Sequence, residues 1–293
     1  MSPLPPAAGL LSRWPRNLGL SVTNSQLVAL LVLLLAGFAV PLGDGLFKGA
    51  ALQSMGFQMP EMGILALAMM VSLLSGGVDL SIIATANLAA LTMAFVMTNF
   101  LPGTEGVVSI AWQVIAVGAG LLAAVAVGLL NGFFIAYVRV SPILATLGTM
   151  SLIKGLAIGI THGDVISGFP DTIVFFGNGT IAGIPVPLFL FAVAAVVLSV
   201  ILSRTPFGTQ IAMIGSNEKA VRYSGIDTNR VLMKTYVLAS LLSGIAGFLM
   251  LARFNSANAA YGESYLLVTI LAAVLGGVDP FGGFGRVSGV VLA

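Results

Sequence analysis

Residues 109–138 read SIAWQVIAVGAGLLAAVAVGLLNGFFIAYV, thirty positions without one Asp, Glu, Lys or Arg. Coiled into a helix this stretch is about 45 Å long, more than the roughly 30 Å of a bilayer's hydrocarbon core. Apolar runs of the same kind lie at about 24–42, 60–75, 78–99, 142–160, 186–203, 235–252 and 265–275, parted by Gly, Pro or short polar breaks. A further run opens near Val287 and stops at Ala293, too short to cross. The pattern predicts an all-α membrane protein, a polytopic bundle of about 8–10 transmembrane helices, if the C-terminal end is truncated by one or two spans.

Composition leads to the same place. Hydrophobic residues make up 58% of the chain and charged residues 8%, against about 25% charged in a soluble domain. That much apolar surface has to be solvated by lipid. The net charge of +2 gives no bulk attraction for nucleic acid. With no cysteine and a single histidine, His162, the chain lacks the side chains for disulfides, thiolate chemistry or a histidine-built metal site. Arg13 and Arg16 before Leu27–Leu42 imitate a signal peptide, but the spans that follow make this an uncleaved first helix.

The basic residues set the orientation. With a cytoplasmic tail at 1–23 and one membrane domain over 24–293, nine of the twelve fall inside: Arg13, Arg16, Arg139, Arg204, Lys219, Arg222, Arg230, Lys234 and Arg286. Lys48 and Arg253 fall outside, and Lys154 lies within a span. The segment Thr161–Pro185 carries Asp164 and Asp171 but no base, as an external loop should.

Leu74-Ser75-Gly76-Gly77-Val78-Asp79 has an echo in Leu275-Gly276-Gly277-Val278-Asp279, each at the end of one apolar run and just before another. Either the match is chance in a chain rich in Gly and Val, or both halves hold a tightly turned, broken hairpin of the kind found beside transport pathways. Asp79 reads as a helix N-cap for a helix starting near Leu80, or as a residue touching a solute or ion. Asp279 reads the same way, with Pro280 at the first helical position. Lys154 either pairs with a carboxylate inside the bundle or reaches for an interface. Asn87, Asn131, Thr146 and Thr149 line a pathway or bridge helices. Gly128 with Gly132, and Gly155 with Gly159 and Gly163, give a four-residue spacing that packs helices.

The longest polar segment lies within 204–234. In it Asn217 can cap a short helix, Glu218 sits at that helix's positive end, and Gly225 can stop it in the left-handed conformation. Lys219, Arg222 and Tyr223 then project from its surface, as an ordinary interfacial helix or as a docking element. Enzymatic signatures are lacking: there is no G-x-x-x-x-G-K-[ST] loop, no Gly-Lys dipeptide, no G-x-S-x-G and no H-E-x-x-H.

Four blocks, taken in order, resemble the permease subunits of bacterial ATP-binding-cassette importers of the ribose/galactose type. Gly76-Gly77-Val78-Asp79-Leu80-Ser81 is similar to that family's G-G-[IV]-D-L-S. Asn131-Gly132 and Pro142-Ile143-Leu144-Ala145-Thr146-Leu147-Gly148-Thr149 resemble its N-G…P-x-[IFL]-x-T-L-G-T. Thr205-x-Phe207-Gly208, Gly215-x-Asn217 and Ser224-Gly225-Ile226 resemble the next block. Leu275-Gly276-Gly277 with Gly282-Gly283-x-Gly285 resembles its late glycine cluster.

The resemblance implies an inner-membrane permease that binds no cofactor itself. It implies ATP and magnesium in a cytoplasmic ATPase subunit, a periplasmic solute-binding protein, and a second permease copy, identical or related. Asn217–Ile226 would then be the coupling helix seated in the ATPase, and a small sugar would cross by alternating access. The chain departs from the family where an acid is expected in the coupling helix: Lys219 stands there, with Glu218 one place earlier. Two alternatives stay open, an ion-coupled secondary transporter and a permease for branched-chain amino acids.

Overall fold

A computed structural model describes the main chain of residues 22–42 and 48–293, with side chains over 24–38 and 48–293. The expected tail, with Arg13 and Arg16, lies outside the described residues up to position 21.

Every apolar run becomes a helix. The order is α1 (Val22–Leu42), α2 (Gly49–Leu74), α3 (Ile82–Phe100), α4 (Gly106–Phe133), a π-turn (Phe134–Val138), α5 (Pro142–Thr161), α6 (Asp171–Asn178), α7 (Val186–Arg204), α8 (Pro206–Tyr223), α9 (Thr228–Phe254), α10 (Tyr265–Leu275) and α11 (Val287–Leu292). Among the described residues six are long and apolar enough to cross a membrane: α2, α3, α4 with its π-turn, α5, α7 and α9. α1, described over Asn24–Phe38, and α10 are shorter apolar helices.

α9 is the axis. It packs against α2, α3 and α4 at once, so its core positions are buried on more than one side, Tyr236, Ala239, Ala246 and Leu251 completely. Two of the hydroxyls it buries are satisfied on the preceding turn: Thr235 donates to the Val231 carbonyl and Ser243 to that of Ala239. Close approach comes from small residues. Gly128 and Gly132 of α4 lie on the α9 backbone at Tyr236–Val237 and Met233, and Gly247 of α9 lies on Ala86 of α3. Leu122 of α4 and Val193 and Val196 of α7 instead face outward, as lipid-solvated side chains do.

The structure corrects several expectations. α2 begins eleven residues before the apolar run that marks it, because polar Gln53, Ser54 and Gln58 interrupt the hydrophobicity of its first turns. The polar segment 204–234 is mostly helix. The first part of α8 buries Ile211 and Ile214, and α9 starts at Thr228, capped by Asp227, whose carboxylate accepts from the Arg230 amide at 3.2 Å. The stretch 161–185 is not a plain loop, since α6 lies across the end of α9 with Gly177 against the Ala252–Arg253 backbone. Ile166–Ser167 also pair antiparallel with Ser256–Ala257. Gly155, Gly159 and Gly163 meet no other atoms at their open positions, so their spacing packs nothing within this chain.

Gly247→Val should therefore force α3 off α9. An overpacking cost of about 1–3 kcal/mol is expected, visible as a lower thermal midpoint in detergent. Gly118→Ala, where a Cβ meets open space, should leave the midpoint unchanged.

Candidate functional site

The two glycine hairpins are real and nearly alike. At the end of α2 the Gly77 amide donates to Ser72 and the Gly76 amide to Leu73, and Gly76 adopts φ +80°. At the end of α10 the Val278 amide donates to Ala273 and the Gly277 amide to Val274, and Gly277 adopts φ +84°. Both are left-handed helix stops that a Cβ would strain. The matching glycines are thus Gly76 and Gly277, one place out of step with the letters, in which Gly76 aligns with Gly276. Gly276 instead serves packing, with its α-carbon against Gly289 and Val290 of α11.

After each glycine comes an aspartate that closes a short turn. Asp79 Oδ1 accepts from the Ser81 amide at 2.9 Å and from the Ser81 hydroxyl at 2.6 Å. Asp279 Oδ1 accepts from the Phe281 amide at 2.9 Å. Neither is the N-cap of a regular helix as expected. α3 begins at Ile82, and 279–284 forms a turn in which Asp279 N donates to the Phe284 carbonyl, so Pro280 opens no helix.

Asp79 is fully buried and anchors a polar chain. Asn131 Nδ2 donates to the Ser81 hydroxyl at 2.8 Å, which itself donates to Asp79. Thr146 accepts from the Leu80 amide at 3.1 Å and donates to the Pro142 carbonyl at 2.8 Å. Thr149, one turn on, is buried on the same face of α5. Asp79, Asn131 and Thr146 thus bridge α3, α4 and α5, while Gly77 rests on the Tyr236 hydroxyl and Pro142.

The two hairpins meet α8 at main-chain distance. The Gly283 amide donates to the Leu74 carbonyl at 3.0 Å, and Gly215 of α8 sits against Leu74, Gly282 and Gly283. A side chain on Gly215 or Gly282 would collide with backbone. In the sequence Gly215 reads only as part of a motif, since nothing local marks a contact with such distant elements.

Two residues beyond Gly215 the helix breaks. Asn217 leaves helical geometry and its Oδ1 caps the Ala220 amide at 3.0 Å, and Gly225 takes φ +82°. Between them lies the expected short capped helix. Lys219 is exposed and Tyr223 is 93% exposed. Arg222 is less free than expected, because its guanidinium meets Glu218 at 2.7 Å. Glu218 also accepts from Arg139 at 3.0 Å, and Arg139 reaches Asn229 of α9 at 2.9 Å. Glu218 therefore ties the capped helix to the end of the π-turn. A cleft of about 280 Å³ lies between this pair, the Gly76-Gly77 turn and Tyr236.

Two further ion pairs lie away from this end, one half exposed and one buried. Lys154 of α5 meets Glu263 at 2.6 Å, so it has a carboxylate partner, though a half-exposed one rather than one inside the bundle. Asn87 of α3 donates to the carbonyls of Ala259 and Tyr261 at 3.0 and 2.8 Å. The second pair has no counterpart among the sequence expectations: Glu61 of α2, 1% exposed, accepts from Arg253 at 2.6 Å and from the Tyr265 hydroxyl at 3.1 Å. Its signal is present, as an acid inside an apolar run needs a partner, but Arg253 lies at the far end of another helix, 192 positions away.

A multi-pass helical bundle with glycine-broken hairpins and paired charges at membrane depth is the build of a membrane permease. A family model described as "Branched-chain amino acid transport system / permease component" matches residues 51–293, and the chain belongs to that family. It is 38% identical over 232 residues to the ribose import permease protein RbsC of Bacillus subtilis, covering 78% of this chain and 69% of that one. It is 36% identical over 237 residues to the autoinducer 2 import system permease protein LsrD of an Enterobacter species, covering 79% and 69%. The LsrD of Salmonella typhi is 35% identical over 237 residues, covering 79% and 68%. No solved structure matches.

Replacing Arg253 with Met strands the Glu61 carboxylate in the core, with an expected loss of about 3–5 kcal/mol. Chemical unfolding in detergent should show that loss, and adding Glu61→Gln should recover most of it.

Proposed function

We propose that this chain is the membrane-spanning subunit of an ATP-binding-cassette importer that carries a small sugar or sugar-like solute inward. The observation that carries the proposal is the exposed, capped helix after Asn217, joined through main chain at Gly215 to the ends of α2 and α10. A push on that helix has no soft side chains at Gly215 to absorb it. The partner supplying the push would be a cytoplasmic ATPase subunit that holds ATP and magnesium, while this chain holds no cofactor. Asn217, Lys219, Tyr223 and Gly225 would form its docking face, with Glu218 and Arg222 bracing that face against Arg139.

Small sugars are favoured because the relatives are named for ribose and autoinducer 2 import. The family description, which names branched-chain amino acids, keeps that substrate class as the second reading. Alternating access would then be a rocking of helices about the Asp79–Ser81–Asn131 anchor, with the solute passing between this chain and a second permease copy, identical or related. A periplasmic binding protein would deliver it. The basic residues gather at the end that holds Arg139, Arg204 and α8, which supports a cytoplasmic placement of that end and an inner-membrane location. A secondary transporter would gain nothing from a braced and exposed helix of this kind.

In the assembled complex Tyr223→Ala and Gly225→Val should each lower ATPase stimulation by the solute-loaded binding protein several-fold at normal expression, and Gly215→Val, which forces α8 off both hairpins, should nearly abolish it per assembled complex. Full stimulation in all three would remove the coupling role. Uptake by the permease alone, driven only by an ion gradient, would remove the importer reading altogether.

A further inference from the structure

The pair Lys154–Glu263 stands where a charge is hard to keep. Lys154 is twelve residues into a twenty-residue helix, about 18 Å from one end and 10 Å from the other at 1.5 Å per residue. Yet its side chain is 41% exposed and that of Glu263 54%. An ion pair bare to hydrocarbon is expensive, so the face that carries it has to be wet or covered by polar groups.

The backbone beside it is irregular as well. α9 runs 27 residues, about 40 Å, whereas α10 has 11, about 16 Å. α10 nonetheless finishes beside the end of α2, since the turn that follows it meets Leu74. Residues 255–264 must therefore return through the outer half of the bundle without forming a helix. Non-helical backbone persists at that depth only inside protein or along a water-filled cavity. Here the segment is sheltered by protein at Ser256, Ala257 and Ala259, and Asn87 secures it by donating to the carbonyls of Ala259 and Tyr261, which leaves Glu263 at its exposed edge.

Between them lies a cleft of about 180 Å³ lined by Ala84, Asn87, Met150, Lys154, Glu263 and Leu266. It is smaller than the roughly 300–1,000 Å³ of sites for drug-sized ligands. It presents an ammonium donor and a carboxylate acceptor with no net charge, between the apolar surfaces of Met150 and Leu266. That combination selects against ions of net charge; among solutes without one, the relatives named for ribose and autoinducer 2 import favour a compact molecule with hydroxyls on its edge and a C–H face over a zwitterionic amino acid.

We infer that this cleft is a solute subsite in the outer half of the transport path, at which Lys154 and Glu263 exchange their mutual contact for the hydroxyls of a neutral polyhydroxy solute. The inference rests on the importer reading and narrows it to one surface.

The chain contains no cysteine, so an introduced one is its single thiol, and labelling is read on this chain alone after separation from its partners. Met150→Cys in the assembled, reconstituted complex should react with a membrane-impermeant thiosulfonate. Leu122→Cys, on the outward face of α4, should not. Among D-ribose, D-xylose, D-galactose and glycerol, supplied with the binding protein, at least one should slow labelling of Met150→Cys. In Met150→Cys/Glu263→Gln that protection should weaken about tenfold in sugar concentration, as losing a charge-assisted hydrogen bond implies. No labelling at Met150→Cys, labelling that none of the four alters, or protection unchanged by Glu263→Gln would each overturn the subsite. ATP-driven uptake by the parent complex is scored separately. Its absence counts against the importer reading, whereas its presence with an unprotected cleft counts against the subsite alone.

Discussion

Hydrocarbon offers neither donors nor acceptors, and the fold follows from that lack. Each main-chain group within the bundle depth has to find its partner inside the chain. Helices manage this wherever they run unbroken, and the difficulty gathers where they stop. At the ends of α2 and α10 a left-handed glycine turns the chain, two amides return to the last helical turn, and an aspartate takes the next free amide. The polar side chains of the core serve the same need. Asp79, Ser81, Asn131 and Thr146 close the opening that the first hairpin would otherwise leave between α3, α4 and α5.

The same constraint explains how much of the molecule is legible in its letters. The helices are plain because apolar length is a one-dimensional property, and the cap at Asn217 and stop at Gly225 are plain because both act over three or four residues. The role of Asp79 comes through in kind but not in position, since an aspartate two residues before its amide and one at a regular N-cap leave the same letters. What does not come through is pairing at a distance. Nothing near Glu61 points to Arg253, and nothing near Lys154 points to Glu263. Small residues deceive in both directions. Gly128 and Gly155 show identical four-residue spacing, yet only the first meets a neighbour within the chain, because spacing identifies a face without saying what lies opposite.

α8 gathers these themes at one end of the bundle. Its first part is a buried helix and its last part an exposed one, and the break at Asn217 lets them point differently. Gly215 stands just before that break, touching both hairpins with nothing but backbone. Glu218 stands just after it, holding Arg139 at the exit of α4 and Arg222 within its own turn. Movement at the exposed part thus has two outlets, a rigid one through main chain into α2 and α10 and a softer one through a half-exposed ion pair into the α4–α5 connection.

The two hairpins differ by one peptide unit between the left-handed glycine and the aspartate. Asp79 comes three residues after Gly76, Asp279 only two after Gly277. With the longer tether the first turn reaches inward and is stitched to α5 through Thr146, while the shorter one leaves Phe281 standing in the open. Nearly the same letters thus build two different anchors, one stitched by side chains to α5 and one held by main chain against Leu74 and Gly215, with only Phe281 left free at its tip.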